Sequence, residues 1–214
     1  VKSKIIANPN CSTIQAVLPL KILNDHFGIK RVTYTTYQAV SGSGQKGIED
    51  LKRTKNNHTN IFDPYDISKT CIPEIDEFLD NGYTKEEMKV VKETKKILHL
   101  PEDLPISCTA ARVPVYNGHS EAVDIEFENE ISPDEVREIL KNSFGIKVID
   151  NPDNFEYPTT RDASGVDPVF AGRIRKNLAF NNGISLWCVA DNLRIGAALN
   201  TVRICQKVIE MELY

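Results

Sequence analysis

No apolar run in this sequence approaches the roughly 18 residues needed to cross a bilayer. The short apolar stretch after Val1-Lys2-Ser3-Lys4 ends at Asn8-Pro9, so neither a membrane span nor a secretory leader is expected. There is no basic excess either. The 26 Lys and Arg residues are outnumbered by 30 Asp and Glu, and the two signs are interleaved along the chain, which makes nucleic acid a poor partner. Cysteine is sparse: Cys11, Cys71, Cys108, Cys188 and Cys205 are odd in number and include no Cys-x-x-Cys pair. A disulfide framework and a thiolate zinc site are thereby disfavoured, no metal is expected, and a reducing cytoplasm fits best. Repeats and low-complexity segments are missing, and so is an initiator Met. Ile5-Ile6-Ala7 reads as a strand with nothing before it to pair, so the chain is expected to begin inside a longer protein.

What remains is a chain with 41% apolar and 26% charged residues over 214 positions, enough to bury a core. Ser12-Thr13-Ile14-Gln15 has the form of a capping box and predicts a helix with Cys11 at its tip. Val32, Tyr34 and Thr36 alternate in a β-rich run that leads into Ser41-Gly42-Ser43-Gly44, with a short helix expected from about 47 to 55. Residues 56–73 read as irregular. Thr84-x-x-Glu87 opens a second helix, with Met88, Val91, Thr94, Ile97 and Leu98 as its inner stripe. Strands are predicted at 106–116 and 122–128, the second with a wet face of Asp124, Glu126 and Glu128.

Ser132-Pro133-Asp134-Glu135 starts another helix, which Gly145 closes, and 146–149 is a short strand. Asn182-Gly183 marks a hairpin between 172–179 and 184–190. Asp191 then caps a last helix carrying Ile195, Leu199, Val202 and Ile209. Strands in runs broken by single helices predict an α+β fold: a mixed, largely antiparallel sheet with helices on one face. The other face then needs a cover from a second copy or a partner domain.

Gly42-Ser43-Gly44-Gln45-Lys46-Gly47 matches the dinucleotide fingerprint G-x-G-x-x-G. No second parallel strand ending in an acid follows it, so a glycine turn or a close backbone approach to a ligand is the better reading. Cys11 could be a nucleophile, since a helix N-terminus favours a thiolate, or an inert small apolar residue. His119 is read at a turn, where it could exchange protons or simply sit at the surface. Glu86 and Lys89 read most simply as a solvent-exposed i,i+3 pair. Arg112 interrupts an apolar strand and so needs a structural partner or a substrate carboxylate.

Asn8-Pro9-Asn10-Cys11-Ser12-Thr13, Thr36-Tyr37-Gln38-Ala39-Val40-Ser41-Gly42, Glu86-Glu87-Met88-Lys89, Arg112-Val113-Pro114-Val115, Gly118-His119-Ser120-Glu121 and Ala190-Asp191-Asn192-Leu193-Arg194-x-Gly196-Ala197-Ala198-Leu199-Asn200 follow one another in this order. Together they resemble the aspartate-semialdehyde dehydrogenases over essentially the whole chain, with 52–72 poorly matched. The resemblance implies a glyceraldehyde-phosphate-dehydrogenase-like C-terminal domain. Residues 1–190 would be the catalytic and dimerisation domain, and 191–214 a C-terminal helix that packs on a nucleotide-binding domain not found in this sequence.

It further implies NADP-dependent reductive dephosphorylation of β-aspartyl phosphate to aspartate semialdehyde, with phosphate released, in lysine, threonine and methionine biosynthesis, by a cytoplasmic homodimer. Cys11 would be the nucleophile, His119 the acid/base, and Gln38 the residue positioning the substrate. Arg112 would grip its carboxylate, Glu86 its amino group and Lys89 phosphate. Ser41, Gly42, Ser43, Gly44, Gln45 and Asn192 would lie near NADP. The resemblance also implies that the chain alone binds NADP weakly and does not turn over. An acyl-phosphate reductase such as N-acetylglutamyl-phosphate reductase and a non-catalytic oligomerisation module are the alternatives. A Cys/His thiol hydrolase lacks a third residue to orient the histidine.

Overall fold

The computed structural model describes residues 5–52 and 61–213. Its backbone is a six-stranded mixed sheet, ordered β2-β1-β3-β6-β5-β4. Helix α1 (Cys11–Phe27) leads into β1 (Ile29–Gln38), which pairs parallel with β2 (Ile106–Arg112) and antiparallel with β3 (His119–Phe127). β3 pairs antiparallel with β6 (Gly183–Ala190), β6 with β5 (Val169–Lys176), and β5 parallel with the short β4 (Ile146–Val148). The expected mixed, largely antiparallel sheet is thus present.

Period-two burial explains how the sheet carries its helices. Val32 and Tyr34 of β1, Val123, Ile125 and Phe127 of β3, and Ile184, Leu186 and Cys188 of β6 are buried in one core with Ile14, Leu20 and Leu23 of α1. Helices α3 (Lys85–Leu98) and α4 (Pro133–Lys141) join that layer through Val90, Leu98, Val136 and Leu140. The opposite face presents Tyr37 and Trp187, whose rings lie 5.5 Å apart. Towards β5 it is partly covered by the segment that ends in α5 (Thr160–Ala163), where Ala163, Phe170 and Val189 are buried together.

Both downstream capping boxes form: Thr84 with Glu87 and Ser132 with Glu135 each exchange side-chain and backbone hydrogen bonds. The first expected one does not. Asn10 caps α1 instead, its Oδ1 accepting from Ser12 N at 2.9 Å and Thr13 N at 3.2 Å. Cys11 is therefore inside the first turn, and the Ser12 and Gln15 side chains are free to point into the core.

Several boundaries also move. Residues 5–7 form no strand, and Ile5 is 83% exposed. Helix α2 (Gly44–Lys52) starts earlier than expected, directly after a 3-10 turn at Val40–Ser43; the rest of its expected span and the start of the irregular stretch lie outside the described residues. β2 ends at Arg112, and β3 begins at His119, three residues before its expected start. α4 ends at Lys141 with Asn142 as its cap, well before Gly145.

In α3 the buried stripe runs through Glu86, Glu87, Val90, Val91, Thr94 and Leu98, while Met88 and Ile97 are half-buried. Of the three acids expected on the wet face of β3, Glu128 is exposed and Asp124 half-buried, whereas Glu126 is buried with Lys30 and Arg31 at 3.4 and 3.0 Å. The final helix opens as a π turn (Arg194–Ala198) and continues as α6 (Leu199–Glu210), which buries no residue of its own; Val202 and Ile209 are exposed. Among the described residues no helix is long and apolar enough to cross a membrane.

Candidate active site

Where α1 meets the ends of β1 and β3, Cys11 Sγ lies 3.2 Å from His119 Nε2. The histidine is the first residue of β3 and is completely buried, so the surface-turn reading fails. Its position follows from the sheet: Gly118 has φ +89°, a turn conformation that costs glycine little. The chain can therefore enter β3 with the imidazole already facing α1.

His119 Nδ1 accepts a hydrogen bond from Ala39 N–H at 3.0 Å. An acceptor at Nδ1 puts the proton of the neutral ring on Nε2, facing sulfur. Burial and the nearby Arg112 charge lower the histidine pKa to about 3. The ring is therefore neutral at physiological pH and offers an N–H to the sulfur.

Cys11 does not show the depressed pKa expected of a helix tip. Burial pushes the thiol up to about 11, the Glu86 charge adds to this, and Arg112 opposes it. Desolvation outweighs the helix terminus here. The resting pair is a thiol beside a neutral imidazole, and anything that neutralises Glu86 favours the thiolate.

Glu86 is the hub of a hydrogen-bond network beside Cys11. Far from being a solvent-facing partner of Lys89, it is buried, and its Oε1 accepts from Asn10 Nδ2 at 2.8 Å and from Gln38 Nε2 at 3.1 Å. Asn10 thus caps the helix of Cys11 while gripping Glu86, and its own backbone N–H donates to Glu93 at 2.7 Å. Lys89 Nζ stands 3.7 Å from Glu86 but bonds more closely to Asp76, at 2.8 Å.

Arg112 is buried at the end of β2, and Nη1 donates to Ala39 O at 2.8 Å. It also lines a cleft of about 400 Å³ with Ser43, Tyr65, Glu74 and Asp76. A guanidinium with one donor committed keeps further N–H groups for a planar anion.

The glycine loop packs against the same centre. A Cβ on Gly42 would lie 2.9 Å from Arg112 Nη1 and 3.3 Å from His119 Cε1, so the residue is glycine because backbone must approach the site closely. Nothing lies within 4 Å of a Cβ placed on Gly44, which has φ +73°. Ser41 Oγ and the Asn192 amide bond each other at 2.9 Å, and Asn192 Oδ1 accepts from Gly118 N–H at 2.9 Å. Ser43 lies on the cleft, whereas Gln45 bonds Glu49 on the exposed side of α2.

Cys11, His119, Gln38, Glu86, Lys89 and Arg112 are therefore linked through shared contacts, with the loop and Asn192 at one edge. Sequence reasoning passed over Asn10, although an Asn directly before a helix start is a cap signal. It also passed over Asp76, which carries no local signal, and Glu121, which lies fully buried behind Cys11. Among the described residues no cluster of His, Cys, Asp and Glu could hold a metal.

The α+β domain thus sets a half-buried thiol against a buried imidazole, with a buried arginine beside them. Residues 20–195 match the family described as semialdehyde dehydrogenase, dimerisation domain, and the chain belongs to it. An aspartate-semialdehyde dehydrogenase of Aquifex aeolicus is 51% identical over 220 residues, covering 98% of this chain and 63% of that protein. The aspartate semialdehyde dehydrogenase II of Vibrio cholerae, solved in complex with ASA, superposes with TM-score 0.88 at 43% identity, over 96% of this chain and 62% of that one. The Candida albicans enzyme, solved with NADP, gives 0.74 at 28% identity over 96% and 57%. The chain spans about 63% of the length of the Aquifex relative.

Proposed function

We propose that this chain is the catalytic and dimerisation part of a longer NADP-dependent aspartate-semialdehyde dehydrogenase, acting on β-aspartyl phosphate in the cytoplasm, in the branch of biosynthesis leading to lysine, threonine and methionine. The observation that carries the reading is the 3.2 Å approach of Cys11 Sγ to His119 Nε2 beside a buried Glu86 and Arg112.

In this reading the substrate's carboxylate pairs with Arg112 and its ammonium with Glu86, while Gln38 orients the acyl group and Lys89 leaves Asp76 for the phosphate. Placing an ammonium on Glu86 removes the negative charge that helps hold the thiol protonated, so binding itself activates Cys11. The sulfur bonds to the acyl carbon, the acyl–phosphate C–O bond breaks, and the phosphate leaves with that electron pair and the thiol proton. His119 holds its Nε2 proton against the sulfur, or against the acyl oxygen, as charge develops on either.

The groups near the loop fit a flat cofactor, since Gly42 keeps side chains away from His119 and Arg112 and Gly44 opens outward. Ser41, Gly42, Ser43, Gly44, Gln45 and Asn192 would hold NADP, with Asn192 and Ser41 fixing each other. When bound, the reduced nicotinamide supplies the hydride that turns the thioester into the aldehyde. The C-terminal segment 191–214, whose α6 buries no residue completely, would pack on the nucleotide-binding portion.

The open sheet face would form the homodimer. Its Tyr37, Trp187, Arg173 and Arg175 line a hollow of about 790 Å³, and the matched family is described as a dimerisation domain. The reading is tested with a protein extended to the length of the relatives. NADP reduction by aspartate semialdehyde should depend on phosphate and vanish in Cys11→Ser; reduction that persists in that variant would refute it. The 214-residue chain alone should not turn over.

A further inference from the structure

Glu121 is two residues beyond His119 on β3, opposite Thr36 of β1 and Cys188 of β6. It faces the first turn of α1 and is completely buried. Neither carboxyl oxygen meets a hydrogen-bond partner among the described residues, and Ser12 Oγ and Gln15 Oε1 on the first turn of α1 are equally unmet. Ser12 and Gln15 are nonetheless close enough to favour the charged form of Glu121, although burial overrides them and pushes its pKa well up, with Glu86 adding to the rise.

The unmet geometry has a simple chemical cause. A carboxylate and the Gln15 amide oxygen are both acceptors and cannot pair until one of them carries a proton. Turning the amide over does not help, because its Nε2 already donates to His119 O at 3.4 Å and an oxygen there would face another oxygen. One proton on Glu121 resolves the cluster. The acid can then donate to Gln15 Oε1 and accept from Ser12 Oγ–H. A buried acid with no cation against it is expected to take this form.

We propose that Glu121 is a positioning residue for the Cys11–His119 pair: a neutral carboxylic acid that ties the first turn of α1, through Ser12 and Gln15, to the start of β3. The idea rests on the acyl-transfer reading of Cys11. It adds that the relative placement of sulfur and imidazole is set from behind by a group that touches neither substrate nor cofactor. The other ionisable groups that feel Glu121 are Cys11 of α1, Glu86 of α3, Tyr34 of β1, Cys108 of β2 and Cys188 of β6. None of them is a cation, so no opposite charge among the described residues would hold a carboxylate there.

The test uses the 214-residue chain. Infrared difference spectra of native protein against Glu121→Gln at neutral pH should show the C=O stretch of a protonated carboxyl in the native chain only. Iodoacetamide labelling, resolved peptide by peptide, supplies the second readout, with the exposed Cys71 and Cys205 as internal controls. Glu121→Gln, which keeps one donor and one acceptor, should reproduce the native rate and pH profile at Cys11. Glu121→Met, of similar size without polar atoms, should slow Cys11 about tenfold, as for loss of a buried hydrogen bond, and shift its profile upward while leaving the controls unchanged.

A missing protonated-carboxyl band would overturn the proposal. So would a Cys11 accelerated by Glu121→Gln, or a Glu121→Met chain that labels like the native one. If Glu121→Met does not fold, the infrared spectra and Glu121→Gln decide. Should Cys11 fail to accept an acyl group from an acyl phosphate, the functional reading falls while these comparisons keep their meaning.

Discussion

His119 should make this domain acid-sensitive in a way that one substitution can isolate. Its folded pKa is about 3 against an ordinary 6.5, because the ring is buried and the Arg112 charge lies nearby. The unfolded chain therefore takes up a proton at this residue below 6.5 and the folded chain does not. The stability that depends on neutral His119 is fully present above 6.5 and is lost as pH falls from there towards 3. At about pH 4.5 the gap is roughly two units below the ordinary value, worth ~3 kcal/mol, and the full shift is worth roughly 5 kcal/mol. That is a large share of the ~5–15 kcal/mol of a typical domain.

The assay is urea unfolding at about pH 7 and 4.5 for the native chain and His119→Asn, whose side-chain oxygen can accept from Ala39 N–H in place of Nδ1. The variant loses stability at both pH values, but its loss between them should be smaller than the native loss by ~2–3 kcal/mol. All other titrating groups are common to both proteins and cancel. Equal losses in the two proteins would refute the placement of a neutral, buried imidazole.

A thiol with pKa about 11 should be alkylated roughly tenfold faster per pH unit between about pH 7 and 9, and a plateau in that range would indicate a preformed ion pair instead. Glu86→Gln should raise the labelling rate of Cys11 at fixed pH in the isolated chain, by removing the charge that raises the thiol pKa, and should abolish turnover in the extended protein. Gly42→Ala, with its Cβ 2.9 Å from Arg112 Nη1, should raise KM for the acyl substrate in the extended protein while far-UV dichroism is unchanged. Trp187→Asp, on the open sheet face, should give a monomer by light scattering where the native chain gives a dimer. Thr84→Ala, which breaks the capping box of α3, should cost about 1 kcal/mol in urea unfolding.

The fold was legible where side-chain periodicity and capping chemistry are local. Val123, Ile125 and Phe127 announce β3, and Ser132-Pro133-Asp134-Glu135 announces α4, because alternation and N-cap bonds need only neighbours in the chain. Positions set by distant partners were not legible. His119 looks like a turn residue until β6 and α1 close over it, and Glu86 looks like half of a surface pair until Asn10 and Gln38 reach it across 76 and 48 residues of sequence.

The same holds for Cys11. Its helix-tip location argued for a low pKa, but the burial that reverses this is a property of the assembled layer and not of the tip. Asn10 could have been chosen over Ser12 as the cap from its place beside the helix start. Nothing local distinguishes Asp76, which meets Lys89 only through the fold.

The most direct test of the central claim is acylation of the isolated chain. Mixed with β-aspartyl phosphate at neutral pH, quenched in acid and mapped by peptide mass spectrometry, the native protein should carry the aspartyl group on Cys11, with phosphate released in equal amount. Cys11→Ser should carry none. Acylation spread over Cys71 and Cys205, or phosphate released equally by the variant, would contradict the assignment of Cys11 as the nucleophile.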